Sequence, residues 1–205
     1  MGRAADREQR WDEFIHAAAE IFYEKGYEAT SLQDIANAVG LLKGSIYYYI
    51  DTKEDLLFEL VMRAQTIWKE TIVEPEALAS SPAPTRLREF IQRWMLLKER
   101  EREWGIVAER EFMRLSPEPL AKVKAGRKDF SAFVEGIVKQ GVAEGDFESH
   151  LDVSLASGMV FELMKSSHLY RRPRANLDVV DLADTYAAFA IRGLGDCMWQ
   201  PPQGS

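Results

Sequence analysis

The stretch FYEKGYEATSLQDIANAVGLLKGSIYYYIDTKEDLL, from Phe22 to Leu57, holds the turns and helix starts that decide the fold. Apolar residues recur at helical spacing before Gly26 and again before Gly40. Glycine is the residue that most often ends a helix in the left-handed conformation. The pattern therefore predicts one helix ending near Gly26, a short second helix ending near Gly40, and a third helix over about residues 42–49.

Polar residues that favour helix N-termini stand where the second helix and the following long helix should start. Thr30 or Ser31 can cap the second helix, and Asp51 or Thr52 can cap the long one. The order of helix, turn, short helix, turn and short helix is that of a helix-turn-helix motif. In that motif the last helix enters the major groove of DNA.

Three adjacent tyrosines, residues 47–49, lie on the third predicted helix and cannot share one of its faces. Ile46 and Ile50 are four residues apart and should pack this helix against the first two. That packing turns Lys43 and Tyr47 outward. We therefore expect part of the tyrosine cluster to meet solvent or a partner.

The same stretch resembles the signature of TetR-type transcriptional repressors over about the first quarter of the chain. The shared features are Phe22, Gly26, Thr30, Asp34-Ile35-Ala36, Gly40, Gly44, Ile46-Tyr47, and Lys53-Glu54 with Leu56 or Leu57. The resemblance implies an all-α protein with an N-terminal three-helix DNA-binding domain and a C-terminal helical domain for ligand binding and dimerisation. It implies a ligand-responsive regulator of double-stranded operator DNA, most simply a repressor released by a small effector, and no enzyme.

The resemblance also implies which residues contact DNA. Base-reading positions correspond to Gln33, Lys43, Gly44 and Tyr47. Backbone-contacting or motif positions correspond to Thr30, Ser31, Ser45, Tyr48, Tyr49 and Lys53. Leu42 stands where the family usually has Ser or Thr at the cap of the recognition helix, which leaves the start of that helix open.

Composition restricts how such a site could bind DNA. The 205 residues are 46% hydrophobic and 29% charged, with a net charge of −7 and a pI near 5.1, so bulk charge does not attract a polyanion. Residues 1–53 carry six basic and nine acidic side chains, a net charge of −3. We therefore expect a few well-placed donors and a modest dependence of DNA binding on salt.

Other classes of site and location have little support in the sequence. Cys197 is the single cysteine, and His16, His150 and His168 are scattered, so neither a metal site nor a cofactor is expected. No hydrolase, nucleotide-binding or metalloprotease motif occurs. No apolar run approaches ~20 residues, and there is no signal-peptide pattern, so a cytoplasmic protein is expected.

The rest of the chain predicts a second domain of helices. A linker rich in proline and serine, residues 73–85, follows the long helix. The remaining predicted helices cover roughly 86–103, 105–115, 117–144, 152–170 and 177–198. The expected domains are 1–52 for DNA binding and 53–199 for effector binding and dimerisation, with 200–205 as a disordered tail.

An apolar effector pocket is predicted among the middle helices. Its candidate lining residues are Trp94, Trp104, Glu109, Phe112, Met113, Phe133, Phe161, Met164, Lys165 and His168. The charged members can form internal ion pairs or face a ligand. Inward Glu109 or Glu162 would suit a cationic effector. The basic residues Arg110, Arg114, Lys165, Arg171 and Arg172 would instead suit an anionic one such as an acyl-CoA or another lipid-like metabolite.

A homodimer is expected because a two-fold operator needs two recognition helices ~34 Å apart. The candidate interface lies on the last two helices and consists of Met159, Leu163, Leu182, Tyr186, Phe189, Ala190 and Gly193. The same residues could instead pack inside one chain. A helical small-molecule or metal-binding enzyme and a protein-binding adaptor without DNA binding remain the alternatives.

Overall fold

The computed structural model of the chain describes residues 3–40, 50–72, 78–166 and 178–195. The helices are α1 (Arg3–Lys25), α2 (Leu32–Ala38), α3 (Lys53–Ile72), α4 (Ala83–Arg100), α5 (Arg102–Glu111), α6 (Pro117–Glu144), α7 (Val153–Lys165) and α8 (Val179–Leu194). A 3₁₀ turn, Phe112–Arg114, follows α5. These ranges contain no strand, in agreement with the predicted all-α class.

Two compact units divide the chain. Unit 1 consists of Met1–Ile67 and Glu101–Gly126, and unit 2 of Trp68–Arg100 and Arg127–Ser205. Helices α3 and α6 each continue from one unit into the other. The predicted domain boundary after residue 52 does not coincide with an edge of either compact unit.

The core of unit 1 explains this division. The apolar face of α1 predicted from the sequence is buried, and so are apolar residues of α2, α3 and α5. The largest fully buried members are Phe14, Ile15, Phe22, Ile35, Leu56, Leu57 and Leu60. Val107 and Ala108 of α5 join the same core. Because α5 packs on α1, residues far along the chain belong to the unit that begins with the DNA-binding motif.

In unit 2, α4 packs extensively against α8. The buried side of α8 carries Ala183, Ala187 and Ala190, whose small side chains let another helix approach closely. On the outer edge of this pair the Arg88 guanidinium donates to the Asp184 carboxylate, with an Nη2–Oδ1 distance of 2.9 Å. The Gln92 amide donates to the same Asp184 oxygen at 2.6 Å.

Most predicted helix ends agree with the structure, and α6 has its predicted bounds. One difference is the start of α4, which begins at Ala83 within the predicted proline-rich linker. Proline fits the first turn of a helix because the backbone N–H it lacks would have no partner there. Pro84 therefore belongs to the first turn of α4. None of the described helices combines the length and apolar character needed to cross a membrane.

Candidate DNA-binding and effector sites

The turn between α1 and α2 is fixed by internal hydrogen bonds. Gly26 has a φ of 85°, the predicted left-handed conformation, and its N–H donates to the Phe22 carbonyl at 3.0 Å. Thr30 is only 2% exposed, and its hydroxyl donates to the Gly26 carbonyl at 2.9 Å. We therefore correct the predicted DNA contact of Thr30, because its buried hydroxyl is used inside the turn.

Ser31 is the N-cap of α2, in accordance with one of the two predicted caps. Its hydroxyl accepts from the Asp34 N–H at 3.2 Å, and the Asp34 carboxylate accepts from the Ser31 N–H at 2.8 Å. The side-chain and backbone hydrogen bonds from Ser31 lower the pKa of the Asp34 carboxyl. Gln33 is partly exposed beside this cap, and its amide donates to the Asn37 side chain at 2.8 Å.

Lys53 lies at the start of α3 and binds the same turn. Its ammonium donates to the carbonyls of Tyr27 at 2.9 Å, Thr30 at 3.0 Å and Glu28 at 3.4 Å. It also lies 4.4 Å from the centre of the Tyr27 ring. In the structure the partners of Lys53 are therefore backbone carbonyl oxygens, whereas the family resemblance implies that Lys53 contacts a DNA phosphate.

The hydroxyl of Tyr27, in the same turn, has a raised pKa. The largest cause is burial, followed by repulsion from the Glu54 and Glu28 carboxylates.

The predicted recognition helix lies outside the described residues, and so do its candidate DNA contacts. These are Lys43, Gly44, Ser45, Tyr47, Tyr48 and Tyr49, together with the atypical Leu42. Both flanks of the segment are described. Gly40 has a φ of 66°, and Ile50 is buried in the core of unit 1 as the sequence predicts.

Four of the predicted effector residues belong to unit 1, which also contains the helix-turn-helix segment. Trp104 is buried there, and its indole N–H donates to His16 Nδ1 at 3.1 Å. Phe112 packs against the core of unit 1, Met113 is exposed, and Glu109 is partly buried. The spacing of apolar residues in α5 cannot distinguish a helix that lines a pocket from a helix that packs against α1, because both have one apolar side.

The charges around Arg110 and Arg114 form internal ion pairs, one of the two alternatives left open by the sequence. The buried Glu111 carboxylate accepts from Arg110 Nε and from Arg114 Nε, each at 2.6 Å. Arg114 also pairs with Glu28 at 2.5 Å. These pairs connect the end of α5 to the turn after α1, within unit 1.

The other described members of the predicted pocket, namely Trp94, Phe133, Phe161, Met164 and Lys165, all belong to unit 2. The rings of Trp94, Phe133 and Phe161 join three further rings in what we call the aromatic cluster, which consists of Trp68, Phe90, Trp94, Phe130, Phe133 and Phe161. Within this cluster the ring centre of Trp94 lies 4.9 Å from that of Phe130, 5.2 Å from that of Trp68 and 5.6 Å from that of Phe161.

The sequence missed Phe90 and Phe130 as cluster members. Phe90 precedes Trp94 by four residues, so the two lie on one face of α4, and Phe130 precedes Phe133 by three on α6. This spacing could have predicted that both phenylalanines lie beside the aromatic residues that were identified from the sequence. Met164 is fully buried, and His168, Arg171 and Arg172 lie outside the described residues.

Cationic side chains lie beside the aromatic cluster. The Lys165 ammonium is 5.4 Å from the centre of the Phe161 ring and pairs with Glu162 at 2.8 Å. The Lys98 ammonium donates to the Lys165 carbonyl at 3.1 Å.

Trp94 lies inside the aromatic cluster and is 4% exposed. Its indole nitrogen is buried without a hydrogen-bond partner among the described residues.

The predicted dimer residues divide between the surface and the interior of unit 2. Met159 is 63% exposed and Phe189 67%, and Gly193 is also exposed. Tyr186 and Ala190 are buried within the chain, which corrects their assignment to an interface, since the inner side of α8 packs against its own unit. Leu163 and Leu182 are partly buried.

Two exposed apolar residues that were not predicted from the sequence, Leu155 on α7 and Val180 on α8, belong to the same pair of helices. Leu155 and Met159 are four residues apart and share one side of α7, and together with Phe189 of α8 they form what we call the α7/α8 face. Val180 precedes Phe189 by nine residues and therefore lies on the opposite side of α8. Large apolar side chains exposed in such number on two adjacent helices are characteristic of an interaction surface.

Comparison with known proteins agrees with this architecture. Residues 14–60 match the bacterial regulatory proteins of the tetR family. Residues 80–194, more than half of the chain, match the tetracyclin repressor-like C-terminal domain. The HTH-type transcriptional repressor KstR2 of Mycolicibacterium smegmatis is 27% identical over 190 residues, which cover 90% of each chain.

Solved structures share the fold over nearly their whole length. The TetR family transcriptional regulator PfmR of Thermus thermophilus is 30% identical, with a TM-score of 0.79 over 89% of this chain and 99% of that one. AibR, solved in complex with isovaleryl coenzyme A and operator DNA, is 24% identical, with a TM-score of 0.78 over 88% of this chain and 97% of its own. The chain belongs to the TetR family of bacterial transcriptional regulators, which makes it a ligand-responsive, DNA-binding regulator and not an enzyme.

Proposed function

We propose that the chain represses transcription as a homodimer bound to a palindromic operator, and that an apolar effector, an acyl-CoA in chemical class, releases it. The proposed DNA binding is supported most directly by the residues that flank the segment 41–49, which contains the predicted recognition helix. Gly40 turns the chain before this segment, Ile50 enters the core after it, and the capped α2 precedes it. A recognition helix needs this kind of rigid support on both sides.

In this proposal Lys43, Gly44 and Tyr47 read base edges, and Ser45, Tyr48 and Tyr49 contact the DNA backbone. Gln33 and the Ser31 cap lie in the first turn of α2 and are the other candidates. Lysine and tyrosine offer donors to base edges and phosphates, and glycine allows close approach of the helix backbone. The net charge of −7 means that these few donors carry the affinity.

The α7/α8 face supports a second copy of the chain as its partner. Phe189 and Met159 expose about two thirds of their surface to solvent, which is unfavourable unless another apolar surface covers them. A two-fold axis would place the same face of each copy against the other. It would also pair two recognition helices, as two half-sites ~34 Å apart require.

The aromatic cluster of unit 2 supports an apolar effector. Its rings supply apolar surface, and Lys165 places a cation over one of them. An acyl-CoA combines an apolar acyl chain with anionic phosphates and therefore matches both features. AibR, which shares this fold, was solved with isovaleryl coenzyme A and operator DNA, and this is a second reason to test acyl-CoAs first.

Helix α3 supplies a route between effector and operator. It begins at Lys53, which binds the turn before α2, and it contains Trp68, whose ring lies 5.2 Å from Trp94 in the aromatic cluster. An effector that displaces Trp68 would therefore bias the position of the helix that is attached to the DNA-binding turn. It needs only to bind one of two arrangements more tightly than the other.

Replacing either Lys43 or Tyr47 by alanine should weaken operator binding by at least ~1 kcal/mol, about fivefold in Kd, because each removes a donor to base edges. A gel-shift titration on an operator selected from random DNA measures this change. Lys139→Ala, at an exposed lysine of α6, is the matched control and should bind as tightly as wild type. Undiminished binding by both variants of the motif would show that the recognition helix is assigned wrongly.

Lys53→Met should lower the free energy of unfolding by roughly 1–2 kcal/mol, because three backbone carbonyls lose a charged donor while the side chain keeps its length. Chemical denaturation measures this loss, and Lys69→Met, at an exposed lysine of the same helix, is the control.

The salt dependence of operator binding distinguishes the two roles of Lys53. If its partners are the turn carbonyls, the slope of log K against log salt stays at the wild-type value. If Lys53 contacts a phosphate instead, the slope falls by about 1 in Lys53→Met, and the structural assignment is wrong.

Phe189→Glu should convert the dimer to monomer at micromolar concentrations, because two-fold symmetry would bury two unpaired carboxylates. Sedimentation velocity measures the change. Leu96→Glu, which replaces an apolar residue that is 43% exposed on α4, is the matched control and should remain dimeric. A monomeric wild type, or a Phe189→Glu variant as dimeric as wild type, would contradict the use of the α7/α8 face.

A further inference from the structure

We infer that the indole N–H of Trp94 is a specificity-determining donor of the effector site, and that the effector brings a neutral carbonyl oxygen to it among apolar groups. This inference rests on the proposed function, because it concerns the same aromatic cluster. It adds the atom that recognises the effector and the chemical group that is recognised.

The unused donor is the first reason. Trp94 is 4% exposed, and its Nε1 is buried with no hydrogen-bond partner in the part of the chain that the structure describes. Buried donors are almost always paired, because losing water without gaining an acceptor costs free energy. An open donor of this kind therefore suggests an acceptor that arrives from outside the chain.

Trp104 provides an internal comparison. It is buried to the same extent, at 3% exposed, yet its indole N–H donates to His16 Nδ1 at 3.1 Å. The two tryptophans thus have the same chemistry and nearly equal burial, but among the described residues only Trp104 has an acceptor in its own unit. Trp104 belongs to the core of unit 1, whereas Trp94 lies in the aromatic cluster of unit 2.

The surroundings of Trp94 decide between water and an organic ligand. The rings of Trp68, Phe130 and Phe161 lie 4.9 to 5.6 Å from it, centre to centre, and each of the three is partly exposed. These side chains offer no hydrogen-bond acceptor oxygen or nitrogen. A buried water needs two to four polar partners, so aromatic walls suit it poorly. They do suit an apolar molecule that carries one oxygen.

The acceptor should be neutral. A carboxylate placed against buried aromatic rings would lose its hydration for a single hydrogen bond, whereas a ketone, ester or thioester carbonyl loses far less. Anionic groups of the same ligand can approach Lys165, whose ammonium lies 5.4 Å from the centre of the Phe161 ring. The thioester of an acyl-CoA meets both conditions, with its carbonyl on Trp94 and its phosphates toward the lysine.

Two matched probes isolate the carbonyl. Octanoyl-CoA carries the thioester carbonyl, and S-octyl-CoA is the thioether that lacks it. Calorimetric titration of the full-length wild type should show octanoyl-CoA binding about tenfold or more tightly than S-octyl-CoA. Trp94→Phe, which keeps a ring and removes the N–H, should bind both probes with the affinity of the thioether. Trp104→Phe is the matched control and should keep the wild-type preference.

Indole ¹H–¹⁵N spectra give a readout that does not depend on CoA. The Trp94 resonance, assigned by its loss in Trp94→Phe, should move downfield with octanoyl-CoA or with 2-octanone. Equal affinity of the wild type for the two CoA probes overturns the inference, and so does a preference retained by Trp94→Phe. Failure of both carbonyl probes to shift the Trp94 resonance overturns it as well.

The proposed function fails by a different result, which keeps the two tests separate. Operator binding by the wild type is measured without any probe, and its absence would refute the DNA-binding proposal whatever the indole spectra show. If octanoyl-CoA releases the operator equally from wild type and Trp94→Phe, repression and release stand, and only the role of the Trp94 donor is refuted.

Discussion

The ammonium of Lys53 organises the DNA-binding end of the molecule. It brings together three backbone carbonyls, those of Tyr27, Glu28 and Thr30, in the turn that separates α1 from α2. Carbonyls gathered in this way repel one another unless a cation or donors lie between them. Because Lys53 is also the first residue of α3, this contact holds the start of α3 at the turn.

The course of α3 then connects this turn to the candidate effector site. Its later residues belong to unit 2, where the Trp68 ring lies near that of Trp94, while α5 returns to unit 1 and packs against α1. The unit that holds the helix-turn-helix segment is therefore completed by helices from the middle of the chain. Helix α3 contains both Lys53 and Trp68.

Local features of the fold could be predicted because neighbouring residues determine them. The left-handed Gly26, the Ser31 cap and the bounds of α6 follow from signals within a few positions, and burial of Ile50 follows from helical spacing. Contacts between segments that are far apart in the sequence could not be predicted in this way. The family resemblance assigns Lys53 to the DNA backbone, and nothing near it in the sequence indicates the turn carbonyls, which lie more than twenty residues earlier.

The candidate effector site shows the same limit. Trp94 and Trp104 look alike in the sequence, each an aromatic residue on a middle helix, yet they belong to different units. In the part of the chain that the structure describes, only Trp104 has an acceptor for its indole N–H. The helical spacing of apolar residues predicts that a side chain is buried, but it does not predict which other helix the side chain packs against. That the described residues give the Trp94 nitrogen no acceptor is a property of its three-dimensional surroundings, which helical spacing does not predict.

Two copies of this chain are proposed to read a two-fold operator with paired recognition helices. Selection of bound sequences from random duplex DNA by the full-length protein tests this proposal without assuming any operator. We expect an inverted repeat whose half-site centres are about one helical turn, 34–36 Å, apart or a multiple of that distance. Enrichment of a single asymmetric site, or of no sequence at all, would contradict it.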